Sequence, residues 1–217
     1  MKLNENETIL FIGDSITDVG RDRQDSKDLG KGYPLLTAGY LLEHFPELNL
    51  FILNRGISGD KVTDLANRWK EDCLQIQPTI LSILIGINDV WHNIDKEKLS
   101  IQESVDKFEF YYRILLETAR EKTKARIILI EPFVLKDPDE QDSWQMELNP
   151  RIEIIRKLAE EYNAEYVELD DRFKEFGKKW GNDYVTKDGV HPTLAGHTLI
   201  AKSWLEKIEN KKIETKE

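Results

Sequence analysis

The 217-residue chain is 40% hydrophobic and 33% charged and carries a formal net charge of −10. That balance belongs to a globular protein, and no apolar run reaches the ~18–20 residues of a membrane-spanning helix. The acid surplus argues against partners gripped through many phosphates, so neither nucleic acid nor an anionic membrane surface is an expected partner.

The first residues, "MKLNENET", pass through Asn and Glu before a short apolar run, which is not the pattern of a secretory signal. The single cysteine, Cys73, fits a reducing compartment, and the expected location is cytoplasmic. The first expected strand, "TILFIG" at 8–13, ends in Gly13-Asp14-Ser15. A serine there is a helix N-cap or turn residue, or a nucleophile offered at a strand end. The connection at 20–32 is longer than common loops and is a candidate functional wall.

"LFILNR" at 50–55 forms the second expected strand and runs into "NRGISGD"; "TILSILIG" at 79–86 forms the third and runs into "GINDVWH". From 103 to 121, Val105, Phe108, Tyr112, Leu115 and Ala119 recur at spacings of three and four, the stripe of an amphipathic helix. "RIILIEP" at 126–132 is a fourth strand. A second long connection is expected at 133–148, then a helix from Ile152 through Ile155, Ala159 and Tyr162, and a fifth strand, "AEYVEL" at 164–169. A last helix runs from Leu194 through Ile208. One domain over 1–210 is expected, with 211–217 a frayed, solvated tail.

Most of these strands are apolar throughout, as when both faces of a parallel sheet are covered by helices. The expected fold is therefore an α/β/α three-layer sandwich with about five parallel strands. Ligands in such sheets sit outside the carboxyl ends of the strands, so those ends hold the candidate site.

A nucleophilic serine needs a base, an orienting acid and donors for an oxyanion. Of four histidines, His44 lies at a helix end, His92 in a loop and His197 on the last helix, whereas His191 stands in "TKDGVHP", three positions after Asp188. That spacing in a tight turn places a carboxylate against imidazole Nδ1 and leaves Nε2 free, with Gly189 supplying backbone freedom. Equally, Asp188 caps a turn and His191 is a plain loop residue. Gly56 permits close backbone approach, Asn88 offers a side-chain amide and Ser15 its own N–H, although a turn glycine and an Asx-turn would read the same way.

Four blocks in this order, "FIGDSITD", "NRGISG", "IGIND" and "DGVHP", resemble those of the SGNH hydrolase superfamily, the GDSL-type esterases. The resemblance implies a flavodoxin-like sheet, Ser15 as nucleophile, His191 as base, Asp188 as the acid that orients it, and an oxyanion hole of Ser15, Gly56 and Asn88. It requires neither metal nor cofactor. "GDSITD", "GISG" and "GINDVW" are most similar to small bacterial acetyl-xylan and carbohydrate esterases, with lysophospholipase- or thioesterase-type acyl hydrolases the alternative within the family. Ile16 stands where the GDSL pattern has Leu, and Lys187 where an aromatic precedes the aspartate in close acetyl-xylan esterases.

The expected partner is a small-molecule ester, and because related small esterases form oligomers a homo-oligomer stays open. Trp91, Trp180 and Tyr184, together with His92 and Trp144, fall in or near expected loops at the active end. Such rings stack on sugar faces or line an acyl pocket, or simply pack the rim of the core. Three rivals of other classes remain, one of them a catalytically silent scaffold in which Ser15 does nothing. A flavodoxin-like nucleotide or flavin module would place phosphate on the first loop, where Asp14 and Asp18 would repel it. A metal-dependent phosphoesterase would use Asp14, Asp89, Asp188 and His191, which lack ligand spacing.

Overall fold

The computed structural model describes residues 1–94 and 99–208, so the expected tail at 211–217 lies outside the described residues. Five strands form one parallel sheet: β1 (Thr8–Gly13), β2 (Phe51–Gly56), β3 (Ile80–Leu84), β4 (Arg126–Ile130) and β5 (Glu165–Val167), in the order β2-β1-β3-β4-β5. The chain winds outward from β1 in both directions. The strand order therefore reverses at β1, and the crevice for a ligand opens at the carboxyl ends of β1 and β3.

Helices cover both faces, as the continuous apolar strands require. Alternation within β1 assigns the layers: Ile9 and Phe11 pack with Tyr33, Leu41 and Trp204, whereas Leu10 and Ile12 pack with Leu65, Phe108 and Leu115. The first face is covered by α2 (Tyr33–His44) and α9 (Leu194–Ile208), the second by α3 (Val62–Trp69) and α5 (Ile101–Lys122). Mid-sheet Ser82 is buried, and its hydroxyl accepts from Trp204 Nε1 at 3.0 Å. The only polar side chain of β3 is thus satisfied without interrupting the core.

The 133–148 segment is not an open connection. The helix that carries Ile152 and Ile155 already begins at Pro138, running over Pro138–Glu161. A proline in the first turn, acidic Asp139 and Glu140 beside it, and Trp144 and Leu148 two turns and one turn before Ile152 make this a regular helix start. Pro150 inside it obscures that pattern in the sequence. His92 likewise ends a short helix, Ile87–His92, rather than lying in a loop.

A buried polar network links the helix over Ile87–His92 to α5 and to Pro138–Glu161. Arg151 is fully buried; its guanidinium donates to the Glu147 carboxylate at 3.1 Å, to the Glu147 carbonyl and to Ser104 Oγ. The other Glu147 carboxylate oxygen accepts from Asn93 Nδ2 at 2.8 Å. Truncating one member strands the opposite charge in the core. Arg151→Ala is expected to lower unfolding stability in urea by about 3–5 kcal/mol, and Glu147→Leu on that background to recover part of the loss.

Candidate active site

The turn that carries Ser15 is built by two close approaches. Strand β1 ends at Gly13, and a Cβ there would lie 2.1 Å from the Leu84 carbonyl and 2.7 Å from Thr17 Oγ1. Asp14 then caps a one-turn helix, α1 (Ser15–Asp18), its Oδ1 accepting from Ile16 N–H at 2.9 Å. Ser15 opens that helix, so its N–H has no intrahelical acceptor.

At the far end of the chain, Asp188-Gly189-Val190-His191 makes the tight turn anticipated above. Asp188 Oδ1 accepts from the N–H groups of Val190 at 3.0 Å and His191 at 2.8 Å, and Oδ2 lies 2.7 Å from His191 Nδ1. Gly189 holds φ +83°, and a Cβ on it would strike the Leu135 carbonyl at 2.5 Å. Leu135 N–H in turn donates to the Gly189 carbonyl at 2.8 Å, so the chain after β4 clamps this turn. Burial pushes the Asp188 carboxyl up, but its bonds from the His191 N–H, the imidazole and the Val190 N–H outweigh that and hold it below its usual range. An ionised Asp188 only accepts, so Nδ1 carries a proton, and Nε2 of the neutral ring faces Ser15 Oγ as acceptor at 3.0 Å. Ser15, His191 and Asp188 are thereby brought into one continuous line.

The expected oxyanion donors divide differently. Asn88 is buried and spends one amide hydrogen on the Asp60 carbonyl at 3.0 Å, leaving the second. Gly56 does not offer its N–H: that group donates to Asn54 Oδ1 at 2.8 Å, while Asn54 Nδ2 is fixed by the Thr17 and Leu29 carbonyls. Gly56 serves instead as the contact beneath α1, where a Cβ would lie 2.3 Å from Asp18 N. The uncommitted glycine is Gly59, three residues on, at φ +88° with nothing within 4 Å of a Cβ position and no acceptor for its N–H among the described residues. Its neighbour Asp60 is the residue whose carbonyl holds Asn88.

Of the aromatic candidates, Trp91 meets the site, with its ring 6.2 Å from that of His191 and 5.4 Å from that of Trp144. Lys136, unnoticed in the sequence, lays its ammonium 5.3 Å from the Trp91 ring and 4.4 Å from that of Trp144. Trp180 and Tyr184 lie on the surface, and Tyr184 stacks on Phe176. His197 is neutral and structural: burial, then Lys187 and His191, press it down to about 4, and its Nδ1 accepts from Tyr33 N–H at 3.3 Å.

Fold and geometry define a class, that of parallel-sheet α/β/α hydrolases presenting a serine, a histidine and an aspartate at the carboxyl edge. A family model described as the GDSL-like lipase/acylhydrolase family matches residues 11–199. An acetylxylan esterase from Geobacillus stearothermophilus is 38% identical over 216 residues, covering 96% of each chain. A solved structure of the acetylxylan esterase from that organism superposes with a TM-score of 0.88 over 100% of both chains at 35% identity. A structure from Parabacteroides merdae described as a GDSL-like lipase gives 0.90 at 41% identity, covering 97% of this chain and 99% of that one. Variants of the Geobacillus enzyme described as catalytic mutants replace a serine, an aspartate and a histidine. The chain belongs to the GDSL-like lipase/acylhydrolase family, and it is a carboxylic ester hydrolase.

Behind Ser15, Asp14 is 1% exposed and its Oδ2 has no partner among the described residues. Burial raises its carboxyl to about 7 against the opposing Ile16 N–H, with Asp89 and Asp60 adding to the rise. The folded chain thus keeps a proton on Asp14 up to about pH 7, which the unfolded chain loses near pH 4. Unfolding releases that proton between the two values, so this group's contribution to stability falls as pH rises through the window. Asp14→Asn, which keeps the acceptor for Ile16, should remove the slope: thermal denaturation from about pH 4.5 to 8 is expected to show Tm of the variant gaining steadily on wild type.

Proposed function

We propose that this protein is a serine esterase that removes short acyl groups, acetyl above all, from carbohydrate. The observation that carries the reading is the Ser15 Oγ to His191 Nε2 contact of 3.0 Å, continued at 2.7 Å to Asp188. His191 takes the proton as Ser15 Oγ attacks the ester carbonyl, and Asp188 stabilises the imidazolium. The oxyanion is received by the Ser15 N–H, the second Asn88 amide hydrogen and the Gly59 N–H, each uncommitted in the free protein. His191 returns the proton to the departing alcohol. Water activated by the same imidazole then attacks the acyl-enzyme carbonyl, Ser15 leaves as the alcohol, and the carboxylic acid is released.

The choice of substrate is supported by two things: the acetylxylan esterase relative at 38% identity, and the partly exposed Trp91 ring beside His191, backed by the buried Trp144. An indole face of this kind suits the apolar face of a sugar ring. The chain holds no helix long and apolar enough to cross a membrane among the described residues, and its one cysteine is buried and free, in keeping with a reducing, cytoplasmic setting.

Hydrolysis of p-nitrophenyl esters from acetate to octanoate, and of an acetylated xylo-oligosaccharide, checks the reading. Wild type is expected to prefer acetate, and Ser15→Ala to lose at least about 10³-fold in kcat, whether or not a chelator is present. Preference for octanoate would transfer the assignment to the lysophospholipase type, and an active Ser15→Ala would end it. Trp91→Ala is expected to raise KM for the oligosaccharide several-fold while leaving kcat for p-nitrophenyl acetate within about threefold.

A further inference from the structure

All three proposed oxyanion donors trace back to one side chain in α3. Arg68 lies on the last turn of an otherwise ordinary amphipathic helix, yet its side chain is only 15% exposed. Each arm of its guanidinium has a different task. One terminal nitrogen donates to the Gly13 carbonyl at 3.0 Å, two residues before Ser15. The other donates to the Arg55 carbonyl at 2.7 Å and to Asp72 at 2.9 Å. Nε donates to Asp60 Oδ2 at 2.7 Å, and it is the Asp60 carbonyl that holds Asn88 Nδ2 at 3.0 Å.

We infer that Arg68 is a positioning residue for the esterase reaction, the strut that fixes the Ser15 N–H, the Gly59 N–H and the Asn88 amide relative to one another. The inference rests on the nucleophile and donors assigned above. Its physical basis is the planar fork of the guanidinium, which can bond the ends of β1 and β2 and the 57–60 turn at fixed angles, as an ammonium cannot. The Gly13 carbonyl that it grips closes β1, and the Arg55 carbonyl lies one residue before the end of β2, the two strands from which Ser15 and Gly59 depart. The Asp60 carboxylate fixes the residue next to Gly59, and the carbonyl of that same residue orients Asn88. Oxyanion stabilisation depends on donors held in place before the charge appears, so a loosened strut costs rate at the transition state rather than affinity in the ground state.

The experiment compares wild type, Arg68→Ala, Arg68→Lys and Arg113→Ala on p-nitrophenyl acetate, well below the Tm of each, with and without guanidinium chloride at about 50 mM. Arg113 pairs with Glu109 and Glu161 on the outer surface of α5 and controls for loss of an ion-paired arginine. Loss of preorganisation is expected to lower kcat about 10²-fold in Arg68→Ala and about tenfold in Arg68→Lys, with KM within about threefold. Guanidinium should restore at least about fivefold of kcat to Arg68→Ala and nothing to the others. The inference is overturned if folded Arg68→Ala keeps kcat within about threefold of wild type, or if its loss appears in KM and ignores guanidinium. Should Arg68→Ala not fold, Arg68→Lys decides alone: wild-type kcat in that variant overturns the strut, and a tenfold loss at unchanged KM supports it. Failure of the serine-esterase reading has a separate signature, activity that survives Ser15→Ala.

Discussion

The site depends on a steric constraint: the turn that carries Ser15 is sunk so far into the carboxyl edge of the sheet that its floor has room only for glycine. Gly13 passes against the Leu84 carbonyl of β3 and Gly56 against the Asp18 amide of α1, both at distances a methyl group could not share with them. Any side chain at either position would lift α1 away from β2 and β3. Because Ser15 rides on α1, a displacement of the order of 1 Å would part Oγ from His191 and carry the Ser15 N–H away from Asn88. Asn54 fastens the same turn from below through its bond to the Thr17 carbonyl, and Asp18 fastens it from above by accepting from the Ser58 amide and hydroxyl.

The charges around this turn follow from its depth. An acid surplus of the whole chain is carried into the site, where Asp14, Asp60 and Asp89 act on one another behind the serine. Three ionised carboxylates there would oppose the oxyanion proposed to form at Ser15. Burial removes much of the conflict by holding Asp14 and Asp89 protonated up to about 7. Asp60 is treated differently: burial raises it too, but Arg68 pairs with it and draws it back. The acids behind Ser15 thus serve as hydrogen-bond acceptors for Ile16 and Val62 without presenting their full charge to the reacting centre.

Much of this was legible from residue types at strand ends. Ser15, Asn88, Asp188 and His191 stand out because a parallel sheet gathers ligands at the carboxyl edge, and because so few histidines compete. Gly56 and Gly59 could not be told apart in "RGISGD", since the distinction turns on where β2 ends. The strand was expected to stop at Arg55; the pairing of Gly13 with Gly56 extends it by one residue, and Gly56 becomes a buried contact while Gly59 takes the open turn. Arg68 was hidden for another reason. A lone arginine in an amphipathic helix reads as part of its solvent face, and only the ends of β1 and β2 beside it give its guanidinium an inward task. The start of the helix at Pro138 was masked by polar residues and by Pro150, which together dilute the 3.6-residue stripe over which Trp144 and Leu148 are spaced.

Chemistry and recognition are anchored by separate parts of the molecule. Ser15 and the proposed oxyanion donors hang from β1, β2 and β3, and Arg68 of α3 bonds the first two at their ends. The aromatic wall, by contrast, comes from the helix over Ile87–His92 and the helix over Pro138–Glu161, which are locked together through Asn93, Glu147 and Arg151 in the core. Trp91 is the point where the two systems touch, through its contact with His191. Lys136 sets its ammonium against both indoles while Leu135 before it bonds the Asp188–His191 turn. Under the proposed function, changes at Trp91 can therefore alter which alcohol is held beside His191 without moving the proposed oxyanion donors. One scaffold can in this way keep a fixed acyl-transfer geometry while its aromatic face is refitted to different esters.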